Sequence, residues 1–401
     1  MNKKVMAIAV AGLFAAPAVA LAQKSTVEIY GRAVLGFDNY QAKSAATAAN
    51  DRDGRFRVFD NSSRVGFRGT EDLGNGLRAI FQIESGVNID SSSNTGQAGT
   101  VNASSGFWAG RDSFVGIDSN FGRLTFGRQS IYWANGVNAQ FAANYINTEI
   151  PWTNGTQLGR ISTNAVARIS NTVQYTTPTF GGVNVTASYS PNAQEAVQSV
   201  GAGIEPDGTI IGLTARGSWG PFYVQGDYAE NTSNSLIAGG AETKLKFYKL
   251  GGSWGYMPGA RVGLIWVRTD HNNIVGGGFP APGGAVPGVT AGDDVDQDGF
   301  TINWEHTFGN FQVMAQYGWT GDMKGCNAAA ECANTKSTGV MVGGRYFLSK
   351  RTWLYASYNQ VSNKVNQFAD YTGGNITSTT GAPTPLGADP RIWGVGIWHG
   401  F

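Results

Sequence analysis

The sequence predicts an all-β fold: a single closed antiparallel barrel of sixteen strands that crosses a membrane. Three observations carry that prediction. Period-two alternation of apolar and polar residues runs through most of the chain, while helical periodicity is almost absent. Very short turns alternate with long polar connections. Composition fits too, with 57 glycines in 401 residues, 12% aromatic residues and only 14% charged ones. Low charge argues against disorder. No apolar run beyond the N-terminal segment is long enough for a membrane-spanning helix. A barrel with lipid outside and water inside needs only every second residue apolar, so modest overall hydropathy is compatible with a membrane span.

The first element is not part of the barrel. "MNKKVMAIAVAGLFAAPAVALAQ" places Lys3 and Lys4 before an apolar run from Val5 to Val19, then Ala20-Leu21-Ala22. A basic start, an apolar middle and a small-x-small site describe a secretory signal peptide, residues 1–22, cleaved after Ala22. Residues 23–401 remain as one barrel domain with 27 basic and 28 acidic residues. That balance gives no basic excess for nucleic acid.

The strands follow in order. The first six are expected near 26–38, 57–70, 77–89, 106–118, 123–130 and 168–177. Five more fall near 183–191, 209–219, 222–230, 244–255 and 260–270. The last five fall near 299–308, 311–321, 338–348, 351–361 and 391–401. One set of connections is short: "EDLGNG" at 71–76, "SNFG" at 119–122, "TFGG" at 179–182, "GP" at 220–221, "MPG" at 257–259, "GN" at 309–310 and "SKR" at 349–351. Most are Gly, Pro and Asn turns that close tight hairpins. The other set is long and polar, at 91–105, 131–167, 192–208, 231–243, 271–298, 322–337 and 362–390. Membrane barrels show this asymmetry because the turns on one side are short and the loops on the other are long. Phe180, Trp219, Phe222, Tyr256, Phe308, Phe311, Phe347 and Trp353 flank the short turns, as an interfacial aromatic girdle would.

The chain closes on "RIWGVGIWHGF", 391–401. Trp393, Val395, Ile397, His399 and Phe401 share one face of an extended strand, and Ile392, Gly394, Gly396, Trp398 and Gly400 share the other. A last strand with its alternation intact to the end is expected to pair with the first, near "VEIYGRAVLGF" at 27–37, and so leave no edge.

"SRVGFRGTEDLGNGLRAIFQIESG" at 63–86, "AGRDSFVGIDSNFGRLTFGRQS" at 109–130, the first strand "IYGRAVLGF" and the terminal phenylalanine resemble the general porins of Gram-negative outer membranes. The resemblance is strongest over 25–130 and at the C-terminus; elsewhere it rests on strand and loop rhythm. It implies a sixteen-stranded barrel in the bacterial outer membrane, a homotrimer, and passive diffusion of small hydrophilic solutes and ions. It also implies contacts with outer-membrane lipids and lipopolysaccharide, and recognition of Phe401 by the barrel-assembly machinery.

The same resemblance implies that the third long loop, here 131–167, folds into the lumen opposite basic wall residues. Carried over position by position, those are Arg32, Arg64, Arg111, Arg160 and Arg168. Alternation supports the set: with Val65 and Phe67 facing lipid, Arg64 and Arg68 face inward. An arginine facing hydrocarbon at mid-depth would cost about 2–4 kcal/mol. The loop departs from the family pattern, since Glu149 is its only acidic residue. Five arginines against one glutamate make a net-positive constriction and an anion preference. The competing reading pairs some of these arginines with Asp38, Glu71 or Glu84 as structural ion pairs. Trp133, Tyr145 and Trp152 in the loop keep a second class open, a substrate-specific channel for organic anions.

Other candidates are weaker. Cys326 and Cys332, the only cysteines, are expected to form one loop-closing disulfide in an oxidising compartment. "DVDQDGFTINWE" at 294–305 matches the spacing of a calcium loop, but Phe300–Phe308 reads as strand rather than helix. A solvated acidic loop is favoured there, with a weak divalent-cation site at Asp294, Asp296 and Asp298, such as loop-bound Ca2+, as the alternative; no other cofactor is expected. An enzymatic barrel would need a base beside a nucleophile. The best acid–base pair, Asp270 with His271, puts its members on opposite faces of one strand, so no enzyme is expected.

Overall fold

The computed structural model describes residues 25–60, 63–87, 89–90, 108–131, 168–191, 208–233, 243–273, 292–326, 332–370 and 385–401. The signal peptide expected at 1–22 and most of the long loop, with Glu149 and Arg160, lie outside the described residues. The extended segments begin with β1 (Ser25–Lys43), β2 (Arg52–Asp60), β3 (Arg64–Gly74), β4 (Leu77–Gly86), β5 (Ser113–Ser119) and β6 (Gly122–Ser130). They continue with β7 (Arg168–Thr176), β8 (Val183–Pro191), β9 (Gly208–Trp219), β10 (Phe222–Ser233), β11 (Thr243–Met257) and β12 (Ala260–Asn272). The last are β13 (Val295–Phe308), β14 (Phe311–Thr320), β15 (Ser337–Ser349), β16 (Thr352–Asn363) and β17 (Asp389–Gly400).

Both β2 and β3 pair with β1, one along each half of its length, so they are two parts of one wall strand. The seventeen segments therefore make sixteen wall positions, every neighbouring pair antiparallel, with β17 pairing β1 to close the cylinder. The break in the second wall strand interrupts an alternation that reads as continuous over 57–70. Ser63 bridges it: its hydroxyl accepts from the Val34 amide at 2.9 Å while its own amide donates to Asp60 at 3.0 Å. Two other boundaries differ from the sequence reading. Trp108–Asp112 is bent rather than extended, and β13 begins at Val295, which draws Asp296 and Asp298 into the wall.

The two faces separate as alternation requires. On β1, Val27 and Ile29 are 69% and 62% exposed, whereas Val34, one register step out of phase, is fully buried. The outward side of β13 runs from Phe300 to Phe308. Eight steps at about 3.4 Å cover about 27 Å. A tilt of about 40° reduces this to about 20 Å of height, near the ~25 Å apolar band of such barrels. Phe180, Trp219, Phe222, Tyr256, Phe308 and Phe311 all lie exposed beside short turns, as a girdle should.

Phe347 and Trp353 do not belong to that girdle. Tyr346, Leu348 and Leu354 take the outward positions, so these two rings turn into the lumen. Trp353 stacks on Trp398 at 3.7 Å and lies beside Val34 and Tyr355 in an apolar patch of the inner wall.

The seam is finished by Phe401, whose amide and carbonyl both hydrogen-bond Gly31 at 3.1 Å. Its ring covers Gly31, where a Cβ would overlap both that ring and the Arg64 carbonyl oxygen. Glycine is what lets the first and last strands meet here.

One ion pair of the inner wall is deeply buried. Lys249 contacts Asp227 at 3.1 Å with both side chains at most 2% exposed, and Thr214 and Gln225 each donate to the same carboxylate at 2.7 Å. Removing one partner of such a pair leaves a buried charge and costs about 3–5 kcal/mol. Asp227→Ala is therefore expected to lower the unfolding temperature followed by far-UV circular dichroism. Asp53→Ala, which breaks the exposed Lys43 pair, is expected to leave it within a degree or so. Equal shifts in the two variants would contradict this assignment.

Candidate functional site

The candidate site sits at mid-height on the inner wall of β1, β3, β4, β5 and β7. Arg32 and Arg64 are directly opposed in the β1–β3 ladder, both with inward phase. Like charges placed directly opposite each other oppose folding unless countercharge lies nearby. Arg111 arrives from the bend before β5, its amide donating to the Glu84 carbonyl at 3.0 Å. Its Nε donates to the Glu84 carboxylate. Arg64 Nε lies 3.7 Å from the same group, and Tyr30 donates its hydroxyl to it at 3.0 Å.

A second carboxylate serves Arg168. Arg168 Nε lies 3.3 Å from Asp112, which also accepts from the Ser130 hydroxyl at 2.9 and 3.1 Å. Arg128 reaches the same neighbourhood, donating to the Gly110 carbonyl at 3.1 Å and to Ser170 at 2.9 Å. Among the described residues, then, Arg32, Arg64, Arg111 and Arg168 gather around Glu84 and Asp112. Four permanently charged guanidiniums thus stand at one level with two carboxylates, before Arg128 is counted.

Of the carboxylates weighed as structural partners, Glu84 pairs with two of these arginines, while Asp38 pairs with another, Arg57. Glu84 does pair with Arg64 and Arg111, but one carboxylate between two guanidiniums cannot neutralise both. Asp38 is occupied higher on the wall by Arg57, at 2.7 and 3.0 Å, and Glu28 lower down by Arg68, at 2.8 and 3.0 Å. Asp38 and Glu28 thus pair with arginines outside the cluster.

The sequence reading missed Asp112, Arg128 and Arg57. Asp112 stands next to Arg111 in "GRDSF" and could have been noticed there. Arg128 adjoins a register shift between Gly127 and Gln129, which alternation alone does not show. Arg57 pairs with Asp38 from a half-strand longer than its pattern suggests.

The long loop enters the lumen at its root. Ile131, immediately after β6, packs against Gly212 on the inner face of β9 and clusters with Ile210. A chain leaving β6 reaches β9 only by crossing inside the wall.

The remaining candidates are placed elsewhere. Cys326 and Cys332 are joined in a disulfide with Cα atoms 5.7 Å apart, in the connection between β14 and β15. Asp296 and Asp298 face outward, where Arg268 holds them at 3.1 and 3.5 Å together with Asp270 at 2.8 Å. Asp294 stands apart and accepts from the Asn273 amide at 2.7 Å. Among the described residues no three His, Cys, Asp or Glu side chains are arranged to hold a metal ion. Asp270 points out and His271 points in, as adjacent strand residues must.

Comparison with known proteins agrees with the barrel fold. A family model described as Gram-negative porin matches residues 7–366. An outer membrane porin protein of Bordetella pertussis is 30% identical over 400 residues, covering 90% of this chain and 95% of its own. Among solved structures, an anion-selective porin from Comamonas acidovorans superposes with a TM-score of 0.70 at 24% identity, covering 94% of this chain and all of that one. OmpT of Vibrio cholerae in its trimer form gives 0.62 at 15% identity, covering 94% and 99%.

Proposed function

This chain belongs to the Gram-negative porin family, and from that premise we propose that its outer-membrane channel prefers anions, by virtue of the arginine cluster at mid-height. The protein is a multi-pass outer-membrane porin. The observation that carries the preference is the ratio at that level, four guanidiniums to two carboxylates. A narrow aqueous passage brings each permeating ion within a few ångströms of wall charges, so a local surplus outweighs the near-zero net charge of the whole chain. The anion selectivity of the Comamonas porin supports the same reading. Small hydrophilic solutes pass by diffusion, anions fastest. Arg160 and Glu149, one basic and one acidic, would leave the surplus unchanged if both face the passage.

The working unit is a homotrimer, as for the trimer form of OmpT. It is surrounded by outer-membrane lipid and lipopolysaccharide and inserted by the barrel-assembly machinery through the strand ending in Phe401. Chemical cross-linking of the native oligomer to three chains, and not two, checks the trimer.

Arg345, 5.3 Å over Trp353 in the lumen, favours a second reading, in which planar organic anions stack transiently on the Trp353–Trp398 pair. An aromatic carboxylate that flickers the current more in wild type than in Trp353→Leu would support it.

Liposome swelling tests the main proposal with solutes of one size and different charge. Gluconate should enter several-fold faster than protonated glucosamine, with glucose between them. Faster entry of the cation would sink the anion preference, and no entry of any of the three would sink the channel.

A further inference from the structure

The inward faces of β9, β10 and β11 carry three charged side chains, Arg216, Asp227 and Lys249. They stand apart from the arginine cluster, on the part of the wall where the long loop takes root. Ile131 packs on Gly212, four residues from Arg216 and on the side away from the short turn at 220–221. Arg216 is three residues from the end of β9, whereas Arg64 is ten from the end of β3. Seven steps of about 3.4 Å on a strand tilted by about 40° place Arg216 about 18 Å closer to the short-turn mouth.

The acceptors beside Arg216 are already engaged. Gln225 lies directly opposite it in the β9–β10 ladder, yet the Gln225 Oε1 accepts from the Tyr223 hydroxyl at 2.5 Å. Asp227 accepts from Thr214 and Gln225 at 2.7 Å and pairs with Lys249 at 3.1 Å. On its other side Arg216 faces Asn184, a neutral amide, across the β8–β9 ladder. Among the described residues no carboxylate pairs with Arg216, and its Nε is buried without an acceptor.

A buried N–H that finds no acceptor in the protein is costly unless something from outside completes it. Two basic groups share one carboxylate here, and that carboxylate holds the buried lysine. The guanidinium left over is permanently charged and forked, a shape that matches two oxygens of one oxyanion. We propose that Arg216 is a second anion station, which binds an oxyanion such as inorganic phosphate between the mid-height cluster and the short-turn mouth. The proposal rests on the anion-preferring channel above. At 0.1 M salt the Debye length is about 10 Å, so the two levels act separately.

The test follows the chloride current of the native oligomer in a planar bilayer. Inorganic phosphate is added equally to both sides at pH 7 and constant chloride concentration. Phosphate lodged at the station lowers the current, which defines a half-blocking concentration. Arg216→Gln, which removes the charge, is expected to raise that concentration by about threefold or more. Asn184→Asp, which supplies a carboxylate directly across the ladder, should raise it similarly. In both variants the chloride-to-potassium permeability ratio at 0.1 M should stay within about twofold of wild type, because the mid-height cluster lies beyond the Debye length. Absence of block in wild type, or an unchanged half-blocking concentration in a folded variant, would overturn the proposal. A fall in the permeability ratio as large as the change in block would also overturn it, since Arg216 would then act only through the general field. If one variant does not fold as an oligomer, the other decides. A wild-type channel that prefers potassium would instead defeat the anion reading, and this proposal with it.

Discussion

The Arg64→Ala/Arg111→Ala double variant is expected to lose its anion preference. The change removes two positive charges and also leaves Glu84 without the guanidiniums that now hold it. Two guanidiniums then stand at that level with two carboxylates, one of them released toward the passage. A unit charge at 4 Å is worth about 1 kcal/mol in bulk water and about 4 kcal/mol at an effective dielectric of 20. Since about 1.4 kcal/mol is a factor of ten, the permeability ratio should move by about tenfold or more. The zero-current potential across a salt gradient reads this directly. Glu84→Gln gives the opposite sign, because it unmasks both arginines. Arg68→Ala, whose partner Glu28 lies on an exposed stretch, should move the ratio far less. A double variant that keeps the wild-type ratio would show that selection takes place elsewhere.

Gly31→Val is expected to prevent barrel closure. The added Cβ would overlap the Phe401 ring and the Arg64 carbonyl oxygen at the junction of β1 with β3 and β17. Overpacking a filled site costs about 1–3 kcal/mol. Here the carbonyl cannot retreat without opening the β1–β3 ladder, and the ring cannot retreat without leaving the seam. The fraction of protein that migrates as folded oligomer on an unheated gel should fall to a small remainder. Gly110→Ala, where nothing lies within 4 Å of the added methyl group, should migrate like wild type. Normal closure of Gly31→Val would mean that the seam tolerates a side chain that its geometry excludes.

The wall was legible because one physical rule governs it. Lipid outside and water inside impose a period of two, and the tight turns restart the pattern with Gly, Pro or Asn. That rule placed Arg64 and Arg68 on the inner side and Val65 and Phe67 on the outer side. It failed where the ladder departs from regularity. At the break bridged by Ser63 the phase shifts by one residue, with Phe56 and Val58 outward before it and Val65 and Phe67 outward after it, a shift that a strand read as continuous over 57–70 passes over. Phe347 and Trp353 sit at turn ends like girdle residues, yet their phase turns them inward, and phase outweighs position. The start of β13 was read as an acidic loop because its aspartates are polar on the outward face. The Arg268 that makes this tolerable comes from β12 and is invisible to local pattern.

The chemistry of the site was legible in type and less so in balance. Arginine positions follow from motif and phase, but their partners come from other strands. Glu84 is twenty residues from Arg64 and twenty-seven from Arg111, and the β3–β4 ladder and the bend before β5 bring the three together. Asp112 reaches Arg168 across 56 residues. Charge counted along the long loop alone therefore misses two wall carboxylates, and the surplus that remains is smaller than five arginines against one glutamate would suggest.

The central claim is that this reduced surplus still governs which ions pass. The most direct measurement is the zero-current potential of the wild-type oligomer in a neutral-lipid bilayer separating dilute from concentrated potassium chloride. The potential should lie toward the chloride equilibrium value, and its displacement should shrink as ionic strength rises and screening shortens. A potential on the potassium side would contradict the claim, because the four arginines at mid-height would then not be the charges that a permeating ion meets.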